Sequence, residues 1–483
     1  MKKLFVAFFL ISMGGGALVS CSSASKKKSS SPAAMSPAAR AISDRTSIAA
    51  LGNLGINLGL EKRTLPNGLT VLMVEDHTVP VISFQSWFKV GSIDEKIGYT
   101  GMAHLFEHLM FKGTDKYGPK EFFQQLEAKG ASVNAYTTRD YTVFHETFTP
   151  NLLDKVIDME SDRLAHLKLD EEVLQTERQV VFEERSLRTD NSPSGKLQES
   201  LWSMAYQVHP YRFPVVGFGD DLLRIKVENL KEFFKTFYQP GNLAIVIVGD
   251  FKTDPTFEAI KKAYGGIAGH PRVPRNLPEE PEQNEERRLV LRDQVATERV
   301  SIAYHVSAAD NDDSYALDVL SNILFSGTNS RAYQSLVENK QMAVGVSGVA
   351  FTPTYPGLFM ISAVMKGSTP GAVAETELDR LIKEVQMDGV TDDEIRFAVR
   401  QLTVQMVDGV LTSHGLGTLI GTVMTIFGDP KRYATDLSKY LAVTSDDVKR
   451  VANKYLFPNN RTVVTLKPGV DSPIDVKKKG DGK

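Results

Sequence analysis

Apolar residues along the chain fall into short continuous or alternating runs and longer stretches with helical spacing. The folded part is expected to begin near Arg63. There Leu65-Pro-Asn-Gly-Leu-Thr-Val-Leu-Met-Val-Glu75 predicts extended segments about a turn at Asn67-Gly68, and residues 79–90 predict an apolar strand. Gly91-Ser-Ile-Asp-Glu95 turns that strand towards a helix within 101–114, where Leu105, Phe106, Leu109, Met110 and Phe111 supply the buried face. A helix over 120–129 leads to two strands, 131–138 and 141–149, rich in Thr, Tyr and Phe. Helical spacing then fills 151–167 and 170–190.

The second half repeats the first. Residues 318–328 match 104–114 in the pattern x-apolar-apolar-x-x-apolar-apolar-Phe-x-Gly-Thr, at one constant offset and again after a strand, 300–306. Tyr455-Leu-Phe-Pro-Asn-Asn460 before a strand at 461–466 echoes Tyr238-Gln-Pro-Gly-Asn242 before one at 243–248. A duplication is the simplest account. It divides the chain into lobes at 61–268 and 289–470, joined by a linker at 269–288 in which Pro271, Pro274, Pro278 and Pro281 stand among charges. The linker is expected to stay exposed, as a passive spacer by default or as a hinge for substrate access.

The first copy of the repeat carries chemistry that the second lacks. His104, Glu107 and His108 are spaced H-x-x-E-H. On a helix the two His project from one face and offer half of a tetrahedral zinc site, with Glu107 on the adjacent strip, able to take a proton from a metal-activated water. At the repeat offset these positions become Asp318, Ser321 and Asn322, so helix and packing survive and the metal chemistry does not. Downstream, Glu177 and Glu184 are two helical turns apart and share a face, while Glu183 points elsewhere. With the His motif present, Glu184 reads as the third zinc ligand and Glu177 as a carboxylate behind the ligands that orients one of them.

Composition narrows the picture. Charged residues make up 24% and hydrophobic residues 42%, an ordinary globular balance, and a net charge of −3 gives no basic field for nucleic acid, which sets that class aside. The N-terminus reads as a targeting segment: Lys2 and Lys3, an apolar run over 4–13, then Leu18-Val-Ser-Cys21. That ending resembles the bacterial lipobox, which makes Cys21, the chain's one cysteine, a lipidation site; a plain signal peptide with a stray Cys is the alternative. By resemblance to enterobacterial sorting, Ser22 after it favours the outer membrane. Residues 22–60 read as a flexible tether and 471–483 as a disordered basic tail.

Taken together, Val90-Gly-Ser-Ile-Asp-Glu95, residues 101–114, Asn134-Ala-Tyr136, the Glu177/Glu184 pair, His209-Pro-Tyr211 and Tyr238-Gln-Pro-Gly-Asn242 closely resemble the pitrilysin/insulinase family of zinc peptidases. The inverted motif is the inverzincin signature, and the length suits short members such as mitochondrial processing peptidase subunits and their bacterial relatives. The resemblance implies an α+β fold of two homologous lobes, each a mostly antiparallel sheet covered by helices, enclosing a chamber. It implies one zinc per chain on His104, His108 and Glu184, with Glu107 as general base. It also implies that Asn134, Ala135 and Tyr136 form an edge strand to which an extended peptide adds through main-chain hydrogen bonds; an ordinary hairpin strand is the equal alternative. Many family members carry an Arg and a Tyr seven residues apart in the second lobe; residues 357–367 have neither, and Arg331 and Tyr333 read as the start of a structural helix. Short members act as dimers, so a different subunit could supply that pair.

The expectation is therefore a zinc-dependent endopeptidase acting on peptides or unfolded polypeptides, anchored at Cys21 and facing the periplasm. The rival readings are a non-catalytic structural or assembly subunit and a peptide-binding protein on the same scaffold.

Overall fold

The computed structural model describes residues 58–119 and 121–469. The expected signal segment with Cys21, nearly all of the tether and the basic tail lie outside the described residues. The first lobe holds strands β1 (Glu61–Thr64), β2 (Thr70–Glu75), β3 (Ile82–Phe88), β4 (Ser132–Thr137), β5 (Thr142–Phe148) and β6 (Leu243–Gly249). Its helices are α1 (Met102–Leu109), α2 (Glu121–Glu127), α3 (Leu153–His166), α4 (Glu171–Arg185), α5 (Pro193–Ala205), α6 (Gly219–Arg224), α7 (Val227–Phe237) and α8 (Thr253–Tyr264). The second lobe holds β7 (Arg287–Asp293), β8 (Arg299–His305), β9 (Ala343–Phe351), β10 (Leu358–Met365) and β11 (Arg461–Pro468). Its helices are α9 (Asp313–Phe325), α10 (Arg331–Tyr333), α11 (Gly371–Asp388), α12 (Asp392–Gly409), α13 (Ser413–Phe427), α14 (Tyr433–Ala442) and α15 (Ser445–Tyr455).

The duplication is visible in the strand order. The first sheet runs β1-β2-β6-β3-β5-β4 and the second β7-β11-β8-β10-β9. With β1 set aside the two are the same topology, each with one parallel pair, β2 with β6 and β7 with β11. The echoed Tyr-to-Asn segments do the same work in both lobes: Asn242 Nδ2 donates to Phe237 O (2.8 Å) and Asn460 Nδ2 to Tyr455 O (2.7 Å), fixing a tight turn before the central strand.

One face of each sheet is covered by helices of its own lobe. The other face is covered by a helix from the opposite lobe. Leu416 and Ile420 of α13 pack with Leu72, Trp87, Val143 and Val246 of the first sheet. Reciprocally, Leu197, Leu201 and Trp202 of α5 pack with Ala303, Leu358, Met360 and Val464 of the second. Burial on both faces explains why β3 and β6 are buried at every position; β6 reads as a continuous apolar run, whereas β3 places Ser83, Gln85 and Ser86 among its apolar residues. Close approach of α13 depends on glycine: a Cβ at Gly421 would lie 2.1 Å from Trp87 Cε2, and one at Gly417 2.7 Å from Gln85 Nε2.

The linker is mostly exposed, as expected, its four prolines included, but it is more than a passive spacer. Residues 268–286 lack helix and strand, yet several of their side chains are held by both lobes. The Arg275 side chain is 3% exposed, with Nη2 2.7 Å from Asp94 Oδ2 and donating to Asp140 O. Glu280 accepts the N–H groups of Gln207, Val208 and His209, and Gln283 Nε2 donates to Arg461 O in the second lobe. Paired charges can be buried where isolated ones cannot, and composition alone does not reveal the pairing. The strand β7 also begins two residues inside the expected linker, at Arg287.

Both tryptophans of the chain, Trp87 and Trp202, sit in the two reciprocal contacts at 1% exposure. Gly421→Ala is expected to cost about 1–3 kcal/mol through overpacking against Trp87. The check is a lowered thermal midpoint together with a shifted tryptophan emission; unchanged emission would mean that α13 does not press on this ring.

Candidate metal centre and active site

The helix carrying the H-x-x-E-H motif is short and is gripped at its start. The buried carboxylate of Glu95 accepts the N–H groups of Gly101 (2.7 Å) and Ala103 (2.8 Å), donors that a first helical turn leaves open. Gly101 has φ +89°, and a Cβ there would sit 2.7 Å from Val216 O, so the position requires glycine. Asp221 accepts from the Gly98 and Thr100 N–H groups and from Thr100 Oγ1, tying the preceding turn to α6. The direction of α1 is thereby set against α4.

Between α1 and α4, one ring nitrogen each of His104 and His108 and a carboxylate oxygen of Glu184 lie within 4.8 Å of one another. His104 Nε2 is 3.6 Å from Glu184 Oε1 and His108 Nε2 is 3.2 Å from Glu184 Oε2. Ligand atoms about 2.0–2.1 Å from a tetrahedral zinc lie roughly 3.4 Å from each other, so these separations fit. The donor set fits as well. Two neutral imidazoles and a carboxylate converge lone pairs on one point, an arrangement that requires a cation or protons at its centre. Burial pulls His108 down, but Glu177 and Glu184, with Glu107, outweigh it and hold the imidazolium up at about 9. Burial pushes Glu184 up, yet His104, His108 and Arg188 hold its carboxyl well below the usual range.

Glu177 stands behind the cluster. Its Oε2 is 3.5 Å from His108 Nδ1 and its Oε1 2.6 Å from Lys112 Nζ, and the side chain is 1% exposed. It does not line the chamber; it orients His108, as the helical spacing suggested. His104 Nδ1 is buried without a partner, so of the two imidazoles His108 has its orientation fixed from behind.

Glu107 faces open space. Its Oε2 accepts from Thr137 Oγ1 at 2.7 Å, the last residue of β4. His104, Glu107, His108 and Glu184 open on a cavity of about 1470 Å³ lined by both lobes, larger than the usual range of small-molecule pockets. β4 is the outermost strand of its sheet and pairs only with β5, leaving one main-chain edge available. Asn134, Ala135 and Tyr136 all line the cavity, but they do not share a face. Ala135 packs on the core beneath α1, whereas the Tyr136 ring turns the other way, edge-on to Trp87.

Sequence reasoning missed Thr137, Lys112 and Arg188, the last with Nη1 2.6 Å from Glu184 Oε1. Lys112 and Arg188 each follow a ligand by one helical turn, a spacing that could have flagged them. Thr137 gives no such signal, because it reaches Glu107 only through the fold. In the second lobe Arg331 forms an ion pair with Glu394 (2.6 Å), as a structural helix start should.

Comparisons with known proteins agree with this geometry. The model of the insulinase family (peptidase family M16) matches residues 70–217, and that of the peptidase M16 inactive domain matches residues 224–402. The zinc protease PqqE of Helicobacter pylori is 31% identical over 84% of this chain and 93% of its own. The probable mitochondrial-processing peptidase subunit beta of Arabidopsis thaliana is 25% identical over 85% of this chain and 78% of its own. The crystal structure of a protease from Helicobacter pylori superposes with a TM-score of 0.82 at 30% identity, covering 85% of this chain and 99% of that one.

Glu177→Gln should leave the fold intact and weaken metal binding by about 10–100-fold, since it removes the charge that orients His108. Competition with a chromophoric chelator measures this; affinity equal to that of the parent protein would reduce Glu177 to a packing role.

Proposed function

The chain belongs to the insulinase (M16) family of peptidases, and from that premise we propose that it is a zinc-dependent endopeptidase for extended peptides or unfolded polypeptides. The observation that carries the reading is the convergence of His104, His108 and Glu184 beside Glu107, on a chamber wall next to the free edge of β4. Zinc held by the three ligands supplies Lewis acidity, polarising a scissile carbonyl and easing the ionisation of water. Residues of the chain do the rest. The β4 edge takes the peptide backbone in extended form, which selects for chain conformation more than for sequence. Glu107 removes a proton from the attacking water and returns it to the leaving amine. Thr137 holds one Glu107 oxygen, which leaves the other for that proton.

A structural or assembly subunit on this scaffold has no need of a complete ligand set, and this chain retains all four positions in its first lobe. The lipobox-like Leu18-Val-Ser-Cys21 supports a lipid anchor, with the enzyme facing the periplasm from the outer membrane. The absence of the Arg/Tyr pair from residues 357–367 supports a dimer in which a different subunit completes substrate contact.

The test uses purified protein from Ser22 onward, alone. One zinc per chain and chelator-sensitive peptide cleavage are expected, with zinc restoring activity after removal. Glu107→Gln should retain metal and lower kcat by about 10²–10⁴-fold. Metal without any turnover would shift the proposal to a partner-dependent enzyme, and absence of bound metal would overturn it.

A further inference from the structure

The second lobe keeps a counterpart of the metal centre, and its chemistry has changed rather than vanished. Asp318, Ser321 and Asn322 of α9 occupy the positions of His104, Glu107 and His108, and all three line the same chamber. The fourth position has a counterpart too. Gln405 lies as far beyond the N-cap Thr391 of α12 as Glu184 lies beyond the N-cap Asp170 of α4, and it also lines the chamber. One carboxylate, two amides and a hydroxyl thus replace two imidazoles and two carboxylates.

Two observations indicate that this cluster serves something outside itself. Asn322 is 6% exposed, and its Oδ1 is buried without a hydrogen-bond partner. Such an orphaned acceptor is costly unless something fills it. One helical turn away on the same face, Asp318 accepts a hydrogen bond from Tyr440 (2.6 Å) and has no basic partner among the described residues. Burial pushes that carboxyl up to about 7, the Tyr440 hydroxyl opposing. A cation beside it would restore the charged form. Both unmet needs are for a donor, and a positive one answers both.

The rest of the chamber wall does not supply it. Arg139 and Arg188 are the arginines among the described lining residues, which include no lysine, and both are engaged; His108 is held by Glu177 and Glu184. Arg139 stacks on Trp202 at 3.6 Å and donates to Tyr211 O, and Arg188 is paired with Glu184. Acidic groups outnumber them, with Glu107, Asp140, Glu184, Glu199, Asp318 and Asp436 on the same surface. A planar or tetrahedral nitrogen cation carries several N–H donors, enough to serve Asp318 and Asn322 Oδ1 together.

We propose that the vestigial metal site of the second lobe is a recognition subsite for a cationic nitrogen group of the bound peptide, held by Asp318 and Asn322 across the chamber from His104 and His108. The inference rests on the peptidase reading for the identity of the occupant as a peptide. Two sources share this chemistry, a Lys or Arg side chain and a free N-terminal ammonium.

Binding, not turnover, provides the test. Fluorescent peptides with a neutral background and a single Lys stepped through each position are titrated against the zinc-loaded Glu107→Gln protein, with and without N-terminal acetylation. One Lys position is expected to bind roughly tenfold or more tighter than its Gln equivalent. Adding Asp318→Asn should bring the Lys-to-Gln affinity ratio close to one. An advantage lost on acetylation instead of following the Lys position assigns the N-terminus as the occupant. Equal affinity for every Lys position, together with indifference to acetylation, would overturn the proposal, as would a Lys preference that survives Asp318→Asn. Because the peptide comparison needs no change at Asp318, poor folding of that variant does not remove the test, and Tyr440→Phe gives a milder second perturbation expected to reduce the ratio. Loss of the peptidase reading would appear separately, as parent protein that binds these peptides and cleaves none of them.

Discussion

Each lobe presents two sheet faces to be covered and covers only one of them with its own helices, so the chamber exists because each lobe lends a helix to the other. With α13 against Trp87 and α5 around Trp202, apolar burial holds the two sheets at a fixed relation. The hydrophobic effect has no direction of its own; glycine supplies the geometry here, since Gly417 and Gly421 let α13 lie directly on β3. Linker side chains then pin the arrangement with buried ion pairs and backbone-capping carboxylates, as Arg275 and Glu280 do. Arg275 and Glu280 fasten the linker to the first lobe and Gln283 fastens it to the second, so the linker is anchored at both ends and is not a slack tether.

Much of the site was legible in the sequence because helices make spacing readable. His104 and His108 share a face by periodicity, Glu177 and Glu184 by the same rule, and the structure brings three of these four to one point with the fourth directly behind. The duplication was legible because apolar positions survived when polar ones diverged. What stayed hidden were contacts between residues far apart in sequence that leave no periodic trace. Thr137 meets Glu107 across the sheet edge, and α13 reaches over to cover the first lobe's sheet. The linker was legible in part: its prolines are exposed as their composition suggests, while three-dimensional pairing, which composition does not show, buries the Arg275 side chain.

The two copies of the metal-site helix show how much of a site belongs to packing and how much to charge. In the first lobe, acceptors converge so closely that protons or a metal must occupy the centre, and the raised His108 and depressed Glu184 are two sides of that one requirement. Loss of the imidazoles in the second lobe removes the requirement without removing the helix, because Val319, Leu320, Ile323 and Leu324 pack beneath α9 as Leu105, Phe106 and Leu109 pack beneath α1. A neutral, fully paired surface would have been the least costly replacement. The chain instead retains Asp318 with a single hydroxyl donor and Asn322 with an unmet acceptor, both facing the same space as Glu107. A duplicated lobe that served only to cover the first would have no reason to keep that cost on its inner wall.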